Sequence, residues 1–173
     1  MELSPGARAA IEVQARLVLA WATSINLTAL RTPEAIAREH VADSLAAVRP
    51  VRRLLAGLLA GASEAVTLLD LGSGAGYPGL PLAVALPARR AALVESIGKK
   101  VSFLQVACRA ASAAMAAAGE SPPELLVVGE RAESLAANRI HREGWQLVVA
   151  RAVAALPELA ELALPFVAPH GVL

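Results

Sequence analysis

The sequence predicts an α/β fold: a mostly parallel sheet with helices on both faces, preceded by a small N-terminal helical region. Three observations carry this. From residue 66 onward, short apolar runs alternate with longer helical patterns, the rhythm of right-handed strand-helix-strand crossovers. The first of these runs feeds a turn with glycine at every second position, Gly72-Ser73-Gly74-Ala75-Gly76. Up to about residue 62, by contrast, the chain reads as helices. It therefore divides into a helical region, residues 1–62, and an α/β domain, residues 63–173.

Taken in order, the stretch from Pro5 sets Ile11, Val18, Trp21 and Ile25 on helical spacing. Thr32-Pro33-Glu34 is a helix start, with a capping hydroxyl, proline at the first helical position and an acid in the first turn. That helix is expected to run towards Val48 and end at Pro50, and a third, Val51 to Leu59, to stop at Gly61. Val66 to Leu71 reads as the first strand, Gly79 to Leu86 as a short helix and Ala91 to Val94 as the second strand. A long helix follows from about Gly98 to Ala118, with Val101, Leu104, Cys108, Ala111 and Met115 in one stripe. Leu125 to Val128 is the third strand, Glu130 to Arg142 a loop and helix, and Gln146 to Ala150 the fourth strand. A helix from Ala154 to Ala163, with Pro157 near its start, precedes Gly171-Val172-Leu173, which reads as the opening of a fifth strand.

Composition excludes several classes. With 56% hydrophobic and 18% charged residues, the 173-residue chain can bury a core and is neither disordered nor a polyelectrolyte tail. Its 40 alanines and 3% aromatics mean that Ala, Leu and Val build that core. Arg, Glu, Pro or Gly interrupts every apolar run before the ~18 residues of a membrane span. Met1 to Ala10 lacks the features of a secretory signal, so a cytoplasmic protein is expected. Cys108 is the only cysteine, which leaves no intramolecular disulfide and no cysteine-rich metal site. A net charge of +1 means that any nucleic acid must be met by a local patch.

Ligands of an open parallel sheet bind outside the carboxyl ends of its strands, which directs attention to the glycine turn. A phosphate loop is ruled out by Leu80, which stands where lysine is required. The dinucleotide fingerprint asks for a small residue at the place of Tyr77. Asp70 two residues before the first glycine, G-x-G-x-G, and Glu95 at the end of the next strand instead form the pattern of S-adenosylmethionine-dependent methyltransferases with a Rossmann-like fold. A strand-end carboxylate can accept both ribose hydroxyls, and the turn can accommodate the amino-acid part of that cofactor. Arg151-Ala152-Val153 follows the fourth strand where methylases of exocyclic amino groups carry an Asp/Asn-Pro-Pro-aromatic loop. Cys108 lies within an apolar stripe and is unsuited to the nucleophilic role that pyrimidine C5 methylation needs. A nucleophile that requires no deprotonation, such as guanine N7, remains.

Five blocks then resemble one family. They are Asn26-Leu27-Thr28-Ala29, His40-Val41-Ala42-Asp43-Ser44-Leu45, the segment from Asp70 to Leu82, the segment from Glu95 to Leu104, and Ala150-Arg151-Ala152. In order and spacing, from about Trp21 to the end, they resemble the bacterial small-subunit ribosomal RNA guanine-N7 methyltransferases, the RsmG or GidB family. The resemblance implies a class I Rossmann-like fold, S-adenosyl-L-methionine as cofactor, no metal, and methylation of N7 of one guanine in 16S rRNA in the cytoplasm. The partner is then 16S rRNA or the small ribosomal subunit. It also implies cofactor contacts at Gly72, Gly74, Gly76, Tyr77 and Glu95, with Ala132 and Glu133 beside the adenine. Arg151 becomes the catalytic candidate, holding RNA or orienting the cofactor, and His40, Asp43, Lys99 and Lys100 are candidates for the substrate side. The competing readings are a methyltransferase of the same fold with another substrate, or a cofactor-binding remnant. Family members usually continue past the fifth strand into a terminal hairpin. The chain is accordingly expected to be a truncated form with an exposed edge at Val172 and Leu173, less stable, prone to self-association and of little catalytic activity. A full-length relative is expected to be a monomer.

Overall fold

A computed structural model describes residues 2–58 and 65–173. Helix α1 (Pro5–Trp21) starts where the Ser4 hydroxyl accepts from the Ala7 N–H and Pro5 takes the first helical position. Glu120 secures the same end, accepting from the Gly6 N–H at 2.8 Å and from the Ser4 hydroxyl at 2.7 Å. The helix ends at Trp21, so Ile25 falls in the following turn. Helix α2 (Pro33–Ile36), capped by Thr32 as expected, runs through a π-helical stretch (Ala37–Ala42) into α3 (Asp43–Ala46). Pro50 lies in the first turn of α4 (Val48–Leu58) instead of ending the helix before it. First-turn N–H groups have no intrahelical acceptor, so proline is tolerated there. The expected stop at Leu59 and Gly61 and the region boundary at residues 62–63 lie outside the described residues.

The α/β part follows the predicted order: β1 (Val66–Leu71), α5 (Gly79–Ala85), β2 (Ala88–Val94), α6 (Gly98–Ala117), β3 (Glu124–Val128), α7 (Ala132–Ala137), β4 (Trp145–Ala150), α8 (Leu156–Ala163) and β5 (Val167–Val172). The strands lie in the order β3-β2-β1-β4-β5, and every pairing is parallel. Central β1 is buried along its whole length, and the twofold alternation of its side chains feeds two cores. Leu68, Ala91 and Leu147 pack towards α4 and α5, while Leu69, Leu71 and Val148 pack towards Leu135, Ala163 and Phe166 on the opposite face. Helices α1 and α6 complete the first face, where Ile11 and Val18 join Leu93, Phe103, Leu104, Cys108 and Met115. The predicted α6 stripe is thus the core stripe, and Cys108 is a core thiol that burial pushes up to about 12.

Strand β5 opens at Val167, ahead of the expected Gly171. Pro169, Gly171 and His170 at φ 63 break its alternation, and its pairing with β4 shifts register between Trp145 and Leu147. Such residues are tolerated in an outer strand, and in a sequence they read as loop. Because the chain returns from outermost β3 to β4 beside β1, the strand order reverses between β1 and β4. In open parallel sheets ligands bind beyond the carboxyl ends of the strands at such a reversal. Among the described residues no helix is long and apolar enough to cross a membrane.

Candidate active site

The turn after β1 takes its shape from positive φ at Gly72 (68°), Gly74 (55°) and Gly76 (83°), a region that strains residues with a side chain. Buried polar groups hold it on several sides. Asp70 Oδ2 accepts the Gly79 N–H at 3.0 Å, so closely that any Cβ on Gly79 would collide with the carboxylate. Ser73 donates its hydroxyl to the Asp70 carbonyl and its N–H to the Val94 carbonyl. Gln14, fully buried on α1, donates through Nε2 to the carbonyls of Ala75 (3.0 Å) and Gly76 (3.2 Å). Burial pushes the Asp70 carboxyl up to about 7, against the opposing effect of the nearby Ser73 hydroxyl and of the Gly79 N–H that it accepts. Its Oδ1 has no hydrogen-bond partner.

Glu95, at the end of β2, is 6% exposed, and each of its oxygens accepts one backbone N–H: Gly74 at 3.1 Å and Ile97 at 2.9 Å. The carboxylate is therefore fixed in orientation, with a lone pair left on each oxygen. It borders a cleft of about 150 Å³ whose walls include Gly72, Glu95, Ala132, Glu133 and Val153. Val153, from the loop after β4, packs directly on Gly72. A Cβ at position 72 would sit 2.7 Å from its Cγ2.

At the end of β4, Arg151 reaches back to the N-terminal helices. Its Nη1 donates to Asp43 Oδ2 at 2.7 Å and to the Glu39 carbonyl at 3.1 Å, and its Nη2 lies 2.9 Å from His40 Nδ1. The other ring nitrogen of His40 lies 2.9 Å from the Thr28 hydroxyl, and the ring stacks on Tyr77 at 4.7 Å between centroids. The π-helical stretch and α3 present His40 and Asp43 to the same guanidinium, as their spacing predicts. Burial, followed by the charge of Arg151, holds the His40 pKa below its usual 6.5. Tyr77 is buried, and its phenol is held well above its ordinary range by desolvation.

The model of the family described as rRNA small subunit methyltransferase G matches residues 8–173. The chain belongs to this family. Among curated proteins named ribosomal RNA small subunit methyltransferase G, it is 39% identical to that of Roseiflexus sp. (strain RS-1) over 88% of this chain and 57% of the relative. It is 44% identical to that of Deinococcus radiodurans over 86% of this chain and 51% of the relative, and 37% identical to that of Myxococcus xanthus over 89% and 61%. The chain thus spans a little over half the length of the curated relatives it matches. Among solved structures it is similar to a SAM-dependent methyltransferase from Agrobacterium tumefaciens, with a TM-score of 0.51 at 16% identity over 84% of this chain and 45% of that one. That likeness supports the Rossmann-like class I fold.

Within this member of the rRNA small subunit methyltransferase G family, Gly72, Glu95, Ala132 and Glu133 line one cleft. A Cβ on Gly74 would meet only the Gly72 carbonyl at 3.8 Å, whereas Gly76 turns inward against Gln14 and Leu104. Tyr77, Arg151, His40 and Asp43 gather at the β4 side. Lys99 is exposed and Lys100 half-buried at the start of α6; neither lines the cleft nor joins an ion pair among the described residues. Sequence reasoning missed Gln14, Thr28 and Val153. Gln14 had left a signal, as the one polar residue in the buried stripe Ala10, Ile11, Val18.

Proposed function

We propose that the chain carries the S-adenosylmethionine site and the catalytic edge of an enzyme that methylates N7 of one guanine in 16S rRNA, in the cytoplasm. One observation carries the reading. At the reversal of strand order, a glycine turn and a buried, backbone-fixed carboxylate stand next to an arginine anchored over the end of β4. S-adenosylmethionine, when bound, supplies a methyl group activated on a sulfonium. The residues present fit it in kind: Glu95 keeps one lone pair per oxygen for a pair of ribose hydroxyls, Gly72 and Gly74 expose backbone, and Ala132 and Glu133 stand where an adenine would be flanked. At about 150 Å³ the cleft is smaller than the roughly 300 Å³ at the lower end of small-molecule sites, so entry requires Val153 to move off Gly72.

Guanine N7 holds an in-plane lone pair and gives up no proton when alkylated, so the residues need to position and not to deprotonate it. The β4 edge suits that task. Both nitrogens of His40 are engaged, which removes it as a base, and Arg151 is an anchored cation with its Nε–H and one Nη2 hydrogen unspent among the described contacts. These donors suit an RNA phosphate or base-edge acceptor, and Lys99 and Lys100 are free to meet further phosphates.

The test is tritiated S-adenosylmethionine with small ribosomal subunits from a strain lacking the endogenous enzyme. Label at N7 of a single 16S guanine is the expected result. Label confined to protein, to another RNA or to no acceptor would overturn the reading.

A further inference from the structure

The Thr28-His40-Arg151 chain has a fixed direction. A guanidinium can only donate, so His40 Nδ1, 2.9 Å from Arg151 Nη2, must be the acceptor and carries no proton. The proton of the neutral ring is then on Nε2, which faces the Thr28 hydroxyl at 2.9 Å. Thr28 Oγ1 also accepts the Leu30 N–H at 3.2 Å, and Arg31 binds the Thr28 carbonyl, so the hydroxyl is held in place by its own loop. The groups facing the ring are Arg151 from the end of β4, the Glu39 and Asp43 carboxylates from its own helical stretch and the following one, and the Tyr77 face from the glycine turn. Its depressed basicity agrees with the neutral form that the geometry demands.

We propose that Thr28 is a positioning residue for methyl transfer: by accepting the Nε2–H of His40 it fixes the orientation of the ring whose Nδ1 lone pair holds the Arg151 guanidinium at the carboxyl end of β4. The proposal rests on the reading above that Arg151 acts on the RNA. Without the hydroxyl, Nε2–H is left without its acceptor, while Arg151 still keeps the proton off Nδ1, so the tautomer stays and the ring loses one of its two hydrogen-bonded anchors. Free to rotate, it no longer presents Nδ1 to Arg151 in a fixed direction, and that hold is weakened. Asp43 and the Glu39 carbonyl still hold Nη1, so the guanidinium remains nearby but free to turn.

The experiment uses the whole chain, labelled with ¹⁵N in histidine and arginine side chains, as wild type, Thr28→Val and Thr28→Ser. Wild-type His40 should show protonated Nε2 and bare Nδ1, a result that needs no variant. Thr28→Val should keep the tautomer but give shifted His40 and Arg151 side-chain resonances and a roughly tenfold lower transfer rate at saturating cofactor, the scale of one lost hydrogen bond. Its S-adenosylmethionine affinity should stay within about twofold, and Thr28→Ser should restore both resonances and rate. A proton on Nδ1 in the wild type, unchanged His40 and Arg151 resonances in Thr28→Val, or shifted resonances with an unchanged rate would each overturn the proposal. If the wild-type chain transfers no methyl group to any RNA, the functional reading fails by itself, and the resonances decide whether Thr28 governs His40 and Arg151.

Discussion

The two flanks of the candidate site are built by different means. At the end of β1 the turn is main chain, shaped by three positive-φ glycines and held by Gln14, Asp70 and Glu95, all of them buried. At the end of β4 the site is side chain on side chain, with Arg151 and Asp43 still 30% and 58% exposed. An exposed ion pair contributes only about 0–1 kcal/mol to stability, whereas a buried acceptor lost from under a backbone N–H costs about 1–3 kcal/mol. Substitutions on the β1 flank should therefore disturb fold and ligand together. Those on the β4 flank should disturb function alone.

Arg151→Ala gives the largest expected effect. Methyl transfer should fall by a factor on the order of 10²–10³, the scale of a removed transition-state donor, with cofactor affinity and melting temperature nearly unchanged. A parallel loss of cofactor affinity, measured by calorimetry, would erase the distinction between the flanks. Glu95→Gln comes next. It removes a charge-assisted acceptor pair and should weaken S-adenosylmethionine binding by roughly 1.5–3 kcal/mol. Because one oxygen becomes an amide that opposes the N–H of Gly74 or Ile97, the melting temperature should fall as well.

Asp70→Asn sharpens the comparison through pH. With the folded value near 7 and the ordinary value at 3.8, the folded chain binds more protons than the unfolded chain in between. Stability contributed at Asp70 therefore declines as pH rises through that window. The asparagine variant should lack this decline in melts taken from pH 4 to 7. His40, lowered from 6.5, adds the opposite slope, gaining stability as pH rises towards 6.5, and it cancels in the difference between the two proteins. Val153→Ala should have the smallest effect, a few-fold tighter cofactor binding, since less side chain must leave Gly72. Unchanged or weaker affinity would mean that Val153 does not obstruct the cleft.

The β1 flank was largely legible in the sequence because its causes are local. A strand of buried residues, alternate glycines and a strand-end acid fall within one stretch, and each imposes a backbone conformation or a burial pattern on its own neighbourhood. The β4 flank was legible only in part. The spacing of His40 and Asp43 puts them on one face, but their meeting with Arg151 spans more than a hundred residues and leaves no periodic trace. Lys99 and Lys100 show the converse: nearness to Glu95 in sequence did not bring them into the cleft, for Lys99 is exposed and Lys100 half-buried at the start of α6, outside its walls. Strand β5 extends further than its sequence suggests, because Pro169 and Gly171 read as loop but are accepted by an outer strand.

S-adenosylmethionine is proposed to seat on the β1 flank, with the β4 flank left to meet the RNA. Amide resonances of the whole chain recorded as the cofactor is added test it most directly. Shifts should concentrate at Gly72, Gly74, Glu95, Ile97, Ala132, Glu133 and Val153, with the amides of Thr28 and Asp43 little affected. Shifts centred instead on Thr28, Asp43 and Arg151, or the absence of any shift at saturating cofactor, would contradict it.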